Sequence, residues 1–294
     1  MKLEYIVNST NYKTIKEVLK SHFHISDRLL LKLKRANQIF RNEKPASVHT
    51  PIHLNDIVSA QISFQEKSET ILPTEMELDI IFEDDAMLIV NKPAGIPIHP
   101  SMAHFTNSLS NGIQYYFEKN HVKTKIRPVN RLDKDTSGLV IFAKNEYIQE
   151  ALARQMENHT FHKKYLSILT GTLDETKKTG TIHANIARKQ GSIIEREINP
   201  NGQNAVTHYH LIQNFADYCL VEFQLETGRT HQIRVHSKYL GHPILGDSLY
   251  GTTSEFISRQ ALHSYKISFS HPVTKEKMEF EIALPEDMKK ICHK

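Results

Sequence analysis

The sequence predicts an α+β fold: a large mixed, mainly antiparallel sheet flanked by helices, preceded by a small α/β module. Three observations lead there. Two apolar runs, "MLIVNKPAG" and "GLVIFAK", read as strands buried on both sides. Three more segments, "KKYLSILTG", "AVTHYHLI" and "YCLVEFQLETG", mostly alternate with the period of two that a sheet strand requires. Helical spacings are scattered among these strands rather than alternating with each of them, which favours antiparallel pairing over a parallel crossover sheet.

In chain order, "TIKEVLKSHF" carries Ile15, Val18, Leu19 and Phe23 at helical spacing, with Thr14 and Glu17 as a capping box. A second helix starts at the capping hydroxyl of Ser26 and runs through "DRLLLKLKRA". "QIFRNEKPAS" follows as a turn-rich strand pair, and "DIVSAQISF" as a strand. The apolar signal then fades, so a linker is expected near residues 66–79. The boundaries are a module over 1–72, a linker over 73–79 and a body over 80–294. In the body, "NSLSNGIQYYFEKN" and "EYIQEALARQMEN" fit helices, the second with Tyr147, Leu152 and Met156 near helical spacing. The aromatic residues of "IQYYFEKN" are read as helix packing.

The 294 residues suffice for one large and one small domain, and 39% hydrophobic with 24% charged residues describes a globular chain. No run approaches the roughly 20 apolar residues of a membrane span, and the start lacks a secretory signal. Cys219 and Cys292 lie far apart without CxxC spacing, so no disulfide framework is expected and the compartment is read as the reducing cytoplasm. The net charge of +4 is unevenly spread. Residues 1–72 hold 11 Lys and Arg against 7 Asp and Glu, while the remaining residues are balanced. A basic module on a neutral body suits an anionic polymer, although a solvated basic surface has the same composition. Arg28, Lys32 and Arg35 fall at i, i+4 and i+7, a stripe along the second helix with Lys34 beside it, suited to phosphate contacts.

Chemistry is concentrated in "RPVNRLDKDTSGLVIFAKN", where Arg131, Asp133, Lys134 and Asp135 crowd against a buried strand. Asp133 therefore hangs on a short loop anchored to the core, where a scaffold can hold a reactive carboxylate. Arg131, two residues away, shares its face in an extended segment and favours the ionised form. Read alone, these residues also describe a capped turn with a surface ion pair. A second polar cluster, "GRTHQIRVH", is read as a strand with Thr230, Gln232 and Arg234 on one face. "GHPILGD" then supplies glycine-bounded turns at a cleft rim.

Taken together, "RLDKDTSGLVIFAKN", "GRTHQIRVH" and "GHPILGDSLYG" resemble the RluA-type family of RNA pseudouridine synthases. The resemblance runs in order from about residue 80 to 288, through "FEDDAMLIVNKPAGIPIHP" and "LHSYKISFSHPVTKEKMEFEIALPEDM". More weakly, the N-terminal region resembles the S4-type RNA-binding module. One departure is Asn130, where the family usually has His ahead of Arg-Leu-Asp.

The resemblance implies a pseudouridine synthase fold and the isomerisation of specific uridines in ribosomal RNA, or in transfer RNA, by a monomer that needs neither metal nor cofactor. It implies Asp133 as the essential carboxylate, Tyr165 as the ring against the target base, Arg234 as the cation partnering Asp133, and Arg131 reaching toward the RNA. Either attack at C1′ or removal of the C2′ proton satisfies the chemistry. The target base must first leave the stack, which costs a few kcal/mol and calls for an aromatic platform and cations.

Two other classes fit less of the chain. A non-catalytic RNA binder on this fold would be expected to lack Asp133 or Arg234. A hydrolase using Asp133 with Asp135 leaves the second motif unused. No GxxxxGK[ST] occurs. His208 with His210, and His231 with His236, lack a third ligand at metal spacing.

Overall fold

The computed structural model describes residues 1–62, 66 and 70–293, apart from the Lys177 side chain. The N-terminal module begins with β1 (Lys2–Ile6). Helix α1 (Ile15–Glu17) continues into a wider π-type turn, Val18–His22, and is followed by α2 (Asp27–Arg35). Then come β2 (Ile39–Arg41), β3 (Lys44–Pro45) and β4 (Ile57–Gln61), in an antiparallel sheet of order β1-β4-β2-β3. The Thr14 hydroxyl accepts from Glu17 N. The Glu17 carboxylate returns to Lys13 N, at 2.8 Å, rather than to the cap residue's own amide. Ser63 and Phe64 of the expected strand, and residues 67–69 of the expected linker, lie outside the described residues.

Beyond residue 70 the chain is laid along a helix of the body. Thr74 N donates to Asn111 O, Leu72 O accepts from Asn111 Nδ2, and Met76 covers Gly112 so closely that a Cβ there would meet its sulfur at 2.9 Å. β5 (Asp79–Glu83) and β6 (Met87–Lys92) form a hairpin, followed by α3 (Leu109–Lys119), β7 (Ser137–Ala143), α4 (Glu146–Glu157) and β8 (His162–Thr170). A 3₁₀ turn (Glu175–Lys177) leads to β9 (Thr179–His183), the short pair β10 (Ile186–Arg188) and β11 (Arg196–Ile198), and the long hairpin β12 (Val206–Asn214) with β13 (Tyr218–Leu225). Last come α5 (Gln232–Tyr239), β14 (Leu262–Ser270), β15 (Lys277–Glu281) and α6 (Glu286–Cys292).

The main sheet has nine strands in the order β5-β6-β7-β14-β8-β13-β12-β9, with β15 added beside β14. Among the described residues only β7 and β14 pair in parallel. Every residue of β7 is buried, which is why its sequence is apolar without alternating. Leu139 and Ile141 pack with Met87 and Ile89 on one face, while Val140 and Phe142 pack with Leu88 and Val90 on the other. Each such side chain contributes about 2 kcal/mol through burial, so the strand that precedes α4 and follows the Asp133 loop is a rigid rail. Gly138 sits at φ +119°, and a Cβ there would lie 2.3 Å from Ser264 O. Only glycine allows β7 and β14 to approach this closely.

The N-terminal module does not stand apart from the body. Its core residues Leu3, Leu29 and Leu33 belong to the same apolar cluster as Met87, Ile141 and Leu152 of the body. Polar ties reinforce the seam: the capping hydroxyl of Ser26 donates to Glu150 at 2.9 Å, and Glu66 pairs with Arg127. Lys32 reaches Glu146 at 2.7 Å and Glu66 at 3.4 Å. The expected phosphate stripe is therefore corrected at its centre, because Lys32 turns to the carboxylates of the seam. Arg28, Lys34 and Arg35 remain exposed.

The expected strand at "GRTHQIRVH" is a second correction. His231 adopts a left-handed φ of 59° and opens α5, whose residues Gln232–Ser237 are all buried. A strand with one polar face would send that face to solvent. The helix keeps them inside because its polar side chains find partners. Gln232 accepts from Arg229 N and Thr227 Oγ1 and donates to Val206 O, while His236 bridges Thr207 Oγ1 and Ala184 O. The polarity of this stretch is largely a packing device.

Candidate active site

A cavity of about 820 Å³ opens between the loop before β7, the start of β8 and the segment entering α5. Its loop wall is tied down from both ends. Asn130 is buried, donating to Leu139 O and accepting from Ile141 N, both at 2.9 Å. Two residues later Leu132 enters the core, and Thr136 N closes a turn on Asp133 O. Asp133 is thus presented to the cavity on a loop whose neighbours cannot move. Below the loop, Lys92 is fully buried and spends its three N–H donors on the carbonyls of Pro93, Ile96 and Lys134. Burial, only partly offset by Asp135, lowers its pKa to about 7.

Arg234, on the first turn of α5, lies 3.1 Å from Asp133 Oδ2 through Nη1. Its other face is held by a residue that sequence reading treated only as part of a rim. Asp247 is fully buried and takes Arg234 Nε at 2.7 Å and Nη2 at 2.8 Å, while its Oδ1 also accepts from the amides of Leu249 and Tyr250. Burial opposes the guanidinium charge, but Asp247 and then Asp133 outweigh it and hold Arg234 protonated above its ordinary value. The Tyr250 ring lies under the guanidinium carbon at 5.0 Å. The signal available in the sequence was an aspartate set within the apolar, glycine-bounded "PILGDSLYG".

His231 was also missed as a neighbour of the carboxylate. Its Nε2 is 3.8 Å from Asp133 Oδ2, and its Nδ1 is 2.8 Å from the Tyr250 hydroxyl. Burial lowers its pKa, against the pull of Asp133. Both cationic and imidazole contacts fall on Oδ2. Among the described residues no donor is bonded to Oδ1, and Asp133 lines the cavity.

Tyr165 arrives by sheet register. Across three adjacent strands, Tyr165 of β8 pairs with Ser264 of β14, which pairs with Gly138 of β7, the strand that the Asp133 loop enters. The phenol is buried, and burial followed by the Asp133 charge pushes its pKa up to about 12. It stays a neutral aromatic surface at any pH at which RNA is stable.

Asp133, Tyr165 and Arg234 therefore line one cavity. Arg131 is on its rim, exposed, and the cation paired with Asp133 is Arg234 rather than Arg131. Arg28 lies elsewhere, over a smaller cavity of about 340 Å³ with Lys125 and Arg127. His99 borders both cavities. His208 is occupied by Thr181 and Glu226, and among the described residues no three His, Cys, Asp or Glu side chains converge as a metal set. No helix among them is long and apolar enough to cross a membrane.

The sequence and the fold have recognisable relatives. Residues 86–239 match the family model described as RNA pseudouridylate synthase. An uncharacterized RNA pseudouridine synthase of Bacillus subtilis is 39% identical over 279 residues, 95% of this chain and 98% of that protein. The ribosomal large subunit pseudouridine synthase D of Neisseria meningitidis serogroup B is 33% identical, across 84% of this chain and 69% of its own. Among solved structures, human RNA pseudouridylate synthase domain containing 1 aligns with a TM-score of 0.59 at 25% identity, covering 70% of this chain and 83% of that one.

Proposed function

Because the chain belongs to the RluA-type RNA pseudouridine synthases, which isomerise uridine in RNA, we propose that its reaction runs at Asp133, with the target base against Tyr165 and Arg234 fixing the carboxylate. The observation that carries this reading is the ion pair between Arg234 and Asp133 Oδ2 inside the 820 Å³ cavity that Tyr165 also lines. The cavity is ample for one extruded nucleotide.

Asp133, held by Arg234, attacks C1′ or removes the C2′ proton as the N1–C1′ bond breaks. The uracil turns within the cavity and C5 joins C1′. The proton displaced from C5 balances the one gained at N1, so the reaction is redox-neutral and its atoms are conserved without a cofactor. Tyr165, protonated throughout, supplies a stacking surface rather than a base. Arg131 at the rim contacts the RNA backbone beside the extruded nucleotide. Arg28, Lys34 and Arg35 of the S4-like module extend that contact, as they are the exposed cations of the α2 surface.

The substrate favoured is ribosomal RNA, in line with the relatives whose names specify the large ribosomal subunit; transfer RNA is the second reading. The enzyme acts as a monomer in the cytoplasm. Mapping pseudouridines in cellular RNA with and without the gene tests this, and a site lost from 23S-type RNA is the expected result. A loss confined to transfer RNA selects the second reading.

The stacking role makes its own prediction. Tyr165→Phe keeps the ring and should bind substrate RNA within about twofold of wild type. Tyr165→Ala removes a platform worth about 1–3 kcal/mol and should raise Kd roughly ten-fold. Equal losses in a filter-binding titration would show that the ring does not stack on the base.

A further inference from the structure

Two lysines stand side by side at the start of β8, and their surroundings differ sharply. Lys164 turns to the far face of the strand, where its ammonium is 2.9 Å from Glu222. Lys163 shares its face with Tyr165, two residues on, and lines the active-site cavity. Among the described residues it has no ion pair and no hydrogen bond, and its ammonium lies beside Gly228, 3.7 Å from where a Cβ would stand. Burial alone lowers its pKa, with no charged neighbour acting on it in either direction. A half-buried, uncompensated ammonium is costly to keep in the free protein. Such a group is retained where an anion arrives later.

We infer that Lys163 is a catalytic residue whose ammonium stabilises the uracil anion released when the N1–C1′ bond breaks. The inference rests on the reading of Asp133 and Tyr165 given above. In the bound RNA the uracil is neutral. On cleavage the N1–C1′ electron pair stays with uracil and spreads over N1 and its two carbonyl oxygens, while C1′ passes to the Asp133 carboxylate, or the C2′ proton does. When C5 bonds to C1′, the carboxylate or the C2′ proton is given back, the C5 proton is lost and N1 is protonated. The uracil is thus an anion only between the two bonds, and it must turn during that interval. A strand residue spaced two from the stacking ring sits about 7 Å along the same surface, within reach of the edge of a base lying on Tyr165. A lysine suits a turning anion better than an arginine does. Its point charge with rotatable donors follows the anion, whereas a planar fork holds one orientation. The charge that develops in the reaction thereby meets a cation already held in the cavity and not neutralised by any carboxylate among the described residues.

The same ammonium facing an RNA phosphate would act on binding instead, and the two are separated by single-turnover kinetics with substrate RNA alongside binding at several salt concentrations. For Lys163→Met, the rate at saturating enzyme is expected to fall by about 100-fold or more, as when one preorganised donor to an oxyanion is removed. Kd and its slope against log salt should be unchanged, and the melting temperature should be equal to or above wild type, because the burial cost disappears. Lys163→Arg, which keeps the charge, should recover at least a tenth of the wild-type rate. If the Met variant does not fold, Lys163→Gln against Lys163→Arg reads the same contrast.

A folded neutral variant within about threefold of the wild-type rate overturns the inference. So does a loss that appears in Kd with the salt slope reduced by about one, the mark of a phosphate contact. Asp133→Asn is run in parallel. If it is inactive while Lys163→Met is not, only the role of Lys163 fails. If it is active, the assignment of the site itself fails.

Discussion

Purified Asp133→Asn protein is expected to form pseudouridine at less than about a thousandth of the wild-type rate, while its affinity for substrate RNA stays within about threefold. Asparagine keeps the shape of the side chain. The loop is held by Asn130 on β7 and by the turn from Thr136 N to the backbone of residue 133, neither of which uses the carboxylate. Arg234 keeps its two-bond grip on Asp247. What is lost is the negative charge, and with it the nucleophilicity and basicity of the carboxylate. An amide can neither attack C1′ nor take the C2′ proton, so binding and folding should survive while chemistry stops. Tritium release from C5-labelled uridine in RNA measures this, and turnover above a thousandth of wild type would remove Asp133 from the mechanism.

Arg234→Ala is expected to be both inactive and unstable. The guanidinium bridges the fully buried carboxylate of Asp247 and the carboxylate of Asp133. Without it, Asp247 is left charged in the interior with only backbone amides for partners, a change that typically costs about 3–5 kcal/mol. Turnover should drop by at least about 100-fold, since Asp133 loses the contact that orients it. Arg234→Lys should rescue little, because a point charge cannot serve Asp247 through two bonds and Asp133 through a third.

The defect carries a pH signature. In the wild type, burial pushes the Asp247 carboxyl up, but Arg234 and the amides outweigh it and hold the carboxyl below its ordinary value. A depressed folded pKa contributes stability above the unfolded value of about 3.9, and that stability is lost as pH falls through the folded value. Without Arg234 burial wins and the folded pKa rises above the unfolded one, so the variant loses stability as pH increases. The gap in melting temperature between variant and wild type should therefore narrow on going from pH 7.5 to pH 5. A gap that widens on acidification would mean that Asp247 is not the group left uncompensated.

Much of this arrangement is legible in the chain. The unbroken apolar run Leu139–Ala143 could be satisfied only by a strand covered on both faces, and β7 is that strand. The cap at Ser26 and the helical spacing before it mark the two module helices, and both form. Two acidic and two basic residues pressed against a core strand identified the loop of Asp133 before any contact was known. In each case neighbours in sequence carry the information: periods of two and 3.6, a capping hydroxyl, a glycine at a tight approach.

The rest depended on groups far apart in the chain. The eight residues of α5 lack an apolar stripe, because Gln232 and His236 are buried by hydrogen bonds to β12 and to Ala184 rather than by apolar contact, so their period did not reveal a helix. Lys32 looked like a free cation in a basic stripe and is instead held by Glu146, 114 residues away. The site itself is a meeting of distant pieces: Arg234 and Asp133 are 101 residues apart, and Tyr165 joins them through strand register. By itself the sequence determined which residues carry charge and which strands must be buried, since these follow from local chemistry. Only the tertiary structure decided which cation meets which carboxylate, and which lysine is left alone in the cavity. A buried charge is shaped by whatever desolvates and pairs it, and those partners are brought together by folding.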